Sequence, residues 1–148
     1  VFSKDADRVT KWLEAAARLE PGHIQIPIEI IPEADKNFDK ATVDKWFDLF
    51  WNKMKLQIDE FPNDAMTLNN VAWMASQCNR RLDEAILLSR RAVELRPVPT
   101  YMDTLADLEF RVGNVEKAIE LSQKCREMEP RDEQHKKQLK RFFGSIKP

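Results

Sequence analysis

Glycine is scarce in this 148-residue chain: Gly22, Gly113 and Gly144 are the only three, and they are far apart. No loop can therefore cradle a phosphate with clustered glycines, which excludes Rossmann and P-loop sites and speaks against a turn-rich β protein. The two cysteines are too few for a disulfide framework. Cys125 reads as a small helix-packing residue, and Cys78, in the loop-like "SQCNRR", as a second reduced thiol. The two histidines, His23 and His135, have no partner at ligand spacing, and neither HExxH nor CxxC occurs. No metal and no cofactor is expected. His135, four residues after Arg131, reads as a solvated surface residue. No apolar run approaches the roughly 18 residues of a membrane span, so no membrane partner is expected. The net charge of −1 gives nucleic acid no electrostatic footing. Catalysis is not expected either. Ser89 and Ser122 lack a base, and Asp83, Glu84 and Glu116 sit in first turns, where they complement the helix dipole. Without a visible signal peptide or disulfides, the default expectation is a cytoplasmic chain.

What the chain does have is helix-forming periodicity, with 43% apolar and 33% charged residues. "RLDEAILLSRRAVELRP" (81–97) and "GNVEKAIELSQKCREMEP" (113–130) share a layout at an offset of 33 residues. Ala85 aligns with Ala118, Ile86 with Ile119, Leu88 with Leu121, Ser89 with Ser122, and Pro97 with Pro130. Four amphipathic segments close on Pro21, Pro62, Pro97 and Pro130, spaced by 41, 35 and 33 residues. Proline ends a helix because it disfavours helical geometry in the residue before it. Five residues before three of these prolines stands a small residue, Ala16, Ala92 or Cys125; Gln57 breaks the rule.

Between the prolines the pattern is a helical hairpin. After Pro97, apolar residues at 101/102, 105, 108 and 112 make one helix face. Gly113-Asn114 ends that helix. Val115 to Glu129 forms a second, with Ile119, Leu121, Cys125 and Met128 as expected buried sites. Residues 64–97 repeat the unit, from an N-cap at Asp64 through helices over 65–77 and 82–95. Neither helix of such a pair hides its apolar stripe alone. Close crossings need small side chains, Ala72 and Ala106 on the first helices and Ala85 and Ala118 on the second. Stacked pairs then bury a continuous core.

These features resemble the tetratricopeptide repeat family, whose unit is a helix-turn-helix of about 34 residues. In 98–130 its motif positions hold Met102 for Trp, Leu105, Ala106 for Gly, Glu109 for a buried Tyr, Gly113, Ala118, Ser122 for an aromatic, and Pro130. In 64–97 they hold Leu68, Val71, Ala72, Ala75, Ala85, Ser89 and Pro97. "LNNVAW" and "YMDTLA" are similar to first helices of bacterial members. The resemblance implies an all-α chain, a right-handed α-α superhelix of about three helix-turn-helix units with a C-terminal capping helix, in one domain over 1–148.

Outside 64–130 the reading extends by context. Residues 3–20 read as the second helix of an incomplete repeat, with Val9, Trp12, Leu13, Ala16 and Leu19 on one face. Residues 22–62 read as a degenerate repeat, whose 39–60 helix buries Val43, Trp46, Phe47, Phe50, Met54 and Ile58. Its 23–37 segment, with Ile24, Ile26, Ile28 and Ile30 alternating, is read as a short proline-bounded helix, with an extended edge as the alternative. Residues 131–145 read as the cap, with Leu139, Phe142 and Phe143 on its apolar side. A start at Val1 in mid-repeat leads us to expect a longer array upstream.

Function then falls to a surface. The resemblance implies that the first helices line a groove, placing Asn69, Asn70 and Trp73 in it from one repeat, with Gln77 at its edge. Asp103, Thr104, Asp107, Phe110 and Arg111 come from the next. Paired asparagines suit an extended peptide backbone, and Trp73 and Phe110 suit its side chains. Asp103 and Asp107 place negative charge where chaperone-type grooves hold a ligand carboxylate, so a neutral or basic peptide is expected. The leading expectation is a non-catalytic protein-interaction scaffold for another protein or a segment of its own longer chain. The alternative is a structural appendage of a larger enzyme or secretion-linked protein, using its stacking faces for intra-chain docking or for a homodimer through the N-terminal helix.

Overall fold

A computed structural model describes residues 5–145, which hold eight helices and no strand. They are α1 (Ala6–Leu19), α2 (Gln25–Ala34), α3 (Lys40–Glu60), α4 (Ala65–Gln77), α5 (Leu82–Leu95), α6 (Pro99–Arg111), α7 (Val115–Met128) and α8 (Glu133–Ser145). Four start on an aspartate that accepts from a first-turn N–H: Asp5 from Arg8, Asp39 from Thr42, Asp64 from Met66 and Asp132 from Gln134. Each bond satisfies a donor that the helix start leaves open. Pro99 opens α6, where its missing N–H has no intrahelical partner to lose.

The two hairpin turns close in the same way with different residues. Arg80 N–H donates to Ala75 O at 3.0 Å, and Asn114 N–H to Glu109 O at 2.8 Å. Such bonds from beyond the helix end back into its last turn need a left-handed residue. Gly113 supplies it after α6, with φ 91°. After α4 there is no glycine, and Asn79 and Arg81 take φ 51° and 49°. The Arg81 side chain is held by Asp48, at 2.9 Å, and by Glu84, and its guanidinium lies over the Trp51 ring.

The turn between α4 and α5 is one residue longer than that between α6 and α7, and its Arg80 has a structural role. Arg80, with only 10% of its side chain exposed, reaches Asp44 of α3 at 2.9 Å and Asp35 at the end of α2 at 2.6 and 2.9 Å. It thereby ties the degenerate 22–62 segment to the regular hairpin that follows.

The 23–37 segment is helical, not extended. Its buried residues are Pro27, Ile31 and Ala34, which follow a helical i, i+4, i+7 stripe. The alternating isoleucines are only half-buried. Pro27 sits in the first turn, where no intrahelical donor is lost, and Pro32 comes just before the helix ends.

One apolar cluster runs from Leu13 of α1 to Phe142 of α8. α4 packs on α5, α6 on α5 and α7, and α8 on α7. Ala72, Ala85, Ala92, Ala106, Ala118 and Cys125 are all fully enclosed, while Pro97 and Pro130 are exposed just beyond the ends of α5 and α7. Ala118→Leu is expected to overpack the α6–α7 hairpin by about 1–3 kcal/mol. A urea midpoint unchanged from wild type would contradict that.

Several side chains depart from the sequence reading. Met128 is 52% exposed, because it lies in the final turn of α7. Trp12 and Leu19 flank the buried Leu13–Ala17 stripe and are exposed. Phe143 is exposed because it is one residue, roughly 100° of helix, away from the buried Phe142. Trp51 belongs to the core although the stripe read from the sequence omits it. Glu109 replaces a buried Tyr and is itself buried, accepting from Arg90 at 2.8 Å and Asn114 at 2.7 Å. A buried carboxylate is tolerable only when so paired.

Candidate functional site

The cleft that matches the expected groove lies across α4, α6 and α8. It encloses about 290 Å³ and is lined by Trp73 and Gln77, by Asp103, Asp107 and Arg111, and by Gln134, Lys137, Gln138 and Arg141. The four residues from α8 follow i, i+3, i+4 and i+7, so one face of that helix forms a wall. Its other face buries His135, Leu139 and Phe142. α8 is bonded to α6 across the cleft floor: Gln138 Nε2 donates to Asp103 O at 3.3 Å, and Arg141 pairs with Asp107.

Asp107 organises the site. Its carboxylate accepts from Ser76 Oγ, from Arg111 Nε at 2.8 Å and from Arg141. Burial alone would push its pKa up, but these hydrogen bonds outweigh it and hold the carboxyl below its ordinary value. Arg141 also lies over the stacked rings of Phe110 and Phe142, 5.1 and 4.9 Å from their centroids. Asp103 is shifted the other way, raised by burial against the opposing pull of His135.

No family model matches the sequence, and no curated protein matches it. Solved structures do match by shape. One is a thermophilic TPR protein of Thermus thermophilus, 14% identical, aligned over 88% of this chain and 69% of that one, with a TM-score of 0.67. This chain has a tetratricopeptide-like fold. It is an all-helical repeat solenoid.

The TPR-like cleft takes in four of the eight groove residues read from the sequence: Trp73, Asp103, Asp107 and Arg111. Asn69 and Thr104 are buried instead, at 6% and 4% exposure. Thr104 Oγ1 donates to Thr100 O, and Asn69 Oδ1 has no hydrogen-bond partner. Asn70 is half-buried outside the lining, and Phe110 turns to stack on Phe142 at 4.6 Å. The two aspartates behind the expectation of a neutral or basic peptide are largely withdrawn from solvent. The Asp107 side chain is 3% exposed and that of Asp103 16%, against 27% for Arg111 and 48% for Arg141. With Lys137 exposed as well, the charge the cleft shows to solvent is positive. The α8 contribution was missed because a capping helix was expected only to cover the last repeat; the 134/137/138/141 spacing is the signal that could have found it.

His135 is a second correction. It is 4% exposed rather than solvated, because α8 turns it inward against Asp103 and the α7–α8 corner. Glu129, Asp132 and His135 thereby offer ligand atoms within 4.8 Å of one another. The two thiols are poor nucleophiles. Both cysteines are free, and burial pushes each to a pKa of about 12.

Proposed function

We propose that this chain is a non-catalytic interaction scaffold whose α4–α6–α8 cleft takes an extended segment of another protein, and that the segment carries an acidic side chain beside an apolar one. The observation that carries this reading is the Asp107 network. Asp107 is committed inside, so it fixes Arg111 and Arg141 while offsetting only one of their two charges. Preset donors recognise a carboxylate with little ordering left to do on binding. Trp73, half-buried at the edge, offers an aromatic platform for the neighbouring residue.

The test is an array of peptides graded in charge, screened against the chain. Acidic peptides with an adjacent large apolar residue are expected to be enriched. Trp73→Ala and Lys137→Glu, both at cleft-lining positions, are each expected to weaken the best binder by at least about tenfold. Enrichment of lysine-rich peptides, or affinity indifferent to both substitutions, would refute the reading.

One observation favours a second use. Trp12 and Leu19, seven residues apart on α1, are 54% and 74% exposed. That stripe supports docking by α1 onto a segment of a longer chain or onto a second copy. Solution mass that rises with concentration, and stops rising in Trp12→Ser, would favour the self-association form.

A further inference from the structure

The α7–α8 corner gathers chemistry that the cleft does not use. His135 Nδ1 lies 3.4 Å from Asp103 Oδ1, and His135 Nε2 lies 3.1 Å from Glu129 Oε2. Both contacts of this buried ring are to carboxylates, which when ionised only accept. A neutral imidazole has a single N–H and can donate to only one of them. The other nitrogen then turns a lone pair toward an anion with nothing positive between. Asp132 adds a third carboxylate to the same corner, and it is already fixed by accepting Gln134 N–H at 2.6 Å.

We infer that Glu129, Asp132 and His135 form a divalent-cation site of the zinc class, with Asp103 orienting the imidazole from behind. The arrangement follows the chemistry of such sites. A ligating histidine gives its other N–H to a carboxylate, which fixes the tautomer and raises ligand basicity. Here Asp103, on α6, is placed to take that N–H from Nδ1, which would leave the Nε2 lone pair on the Glu129 side for a metal. One imidazole and two carboxylates leave a fourth position for water, a set that suits tetrahedral Zn²⁺ better than Mg²⁺, which prefers oxygen ligands alone. The donor atoms stand somewhat wider apart than metal–ligand distances of about 2.0–2.2 Å allow. Closing the gap falls to Glu129, which is exposed, moving toward Asp132, which Gln134 N–H already fixes. A bound ion would join the end of α7 to the start of α8, and through Asp103 to α6.

The site shares Asp103 with the cleft but needs no cleft ligand, and its test uses metal alone. The untagged 148-residue chain, stripped with a chelator, is titrated with Zn²⁺ and separately with Mg²⁺, followed by calorimetry and by the ¹⁵N shifts of the histidine rings. One Zn²⁺ per chain, a change at His135 Nε2 and a raised thermal midpoint are expected, with no response to Mg²⁺. The double substitution Glu129→Gln/Asp132→Asn lies at exposed positions and keeps an acceptor oxygen at each, including the one that caps α8; it is expected to abolish the uptake. Asp103→Asn is expected to weaken binding about 10–100-fold. His23→Gln, at the exposed pair with Glu20, is expected to change nothing. Absence of stoichiometric uptake overturns the proposal, since a proton on Nε2 then suffices. So does uptake that survives the double substitution.

Discussion

Phe142→Ala is expected to release α8 from the rest of the chain and to remove the cleft with it. Phe142 is fully enclosed and stacks on Phe110 of α6 with ring centroids 4.6 Å apart. Arg141 lies over both rings while pairing with Asp107. Truncating a buried Phe costs about 3–5 kcal/mol from lost transfer energy and the cavity left behind. α8 is the last described helix and packs chiefly on α7, so the loss is not shared along the stack. The cost is capped by the docking free energy of α8; beyond that, the helix detaches while α4–α7 stay folded. Amide exchange should then show loss of protection across 133–145 with the α4–α5 hairpin unchanged. The Arg141 and Lys137 wall would disappear, and any cleft ligand with it. Protection of α8 retained in Phe142→Ala, with a urea midpoint near wild type, would show that the aromatic stack is not what seats the helix.

The hairpins of 64–130 were legible because their signal is local and repeated. Small residues such as Ala85 and Ala118, and the prolines behind them, are each dictated by contacts within one unit, and the same demand recurs at a fixed offset. α2 was less legible because two signals compete in one short stretch. Isoleucines at every second position mimic a strand, and only the burial of Pro27, Ile31 and Ala34 reveals a period nearer 3.6.

The cleft was half legible for a different reason. Position along a first helix tells which residues can face the groove, and Trp73, Asp103, Asp107 and Arg111 do line it. It does not tell which of them is consumed by a partner elsewhere. Asp107 meets Ser76 and Arg141 across 31 and 34 residues of sequence, and those pairings reverse the sign the groove shows to solvent. His135 was misread on the same ground. A polar helix start looks solvated until the corner that folds it against Asp103 is known. Charge in a repeat stack is therefore a property of neighbouring helices taken together, whereas apolar periodicity belongs to each helix alone.

The other large effect lies at the opposite end, at Trp46. It is 2% exposed on α3, meets Phe38 edge-on at 4.9 Å, and donates its Nε1–H to Thr10 Oγ1 of α1 at 2.7 Å. The Thr10 hydroxyl proton goes in turn to Ala6 O at 2.8 Å, so the hydroxyl oxygen is left as the acceptor that Trp46 needs. Trp46→Ala is expected to cost about 3–5 kcal/mol. Trp46→Phe keeps most of the volume and removes the indole donor, and is expected to cost about 1 kcal/mol for the lost hydrogen bond. Because α1 packs on α3, the alanine variant should lose α1 and the α2–α3 segment first while the α4–α8 stack persists. Circular dichroism under urea would then show two transitions, the earlier one tracking fluorescence from Trp12 and Trp51. Equal destabilisation by Phe and Ala would mean that the bond to Thr10, rather than the bulk of the ring, holds α1 in place; one transition for the whole chain would mean that the stack does not divide at α3.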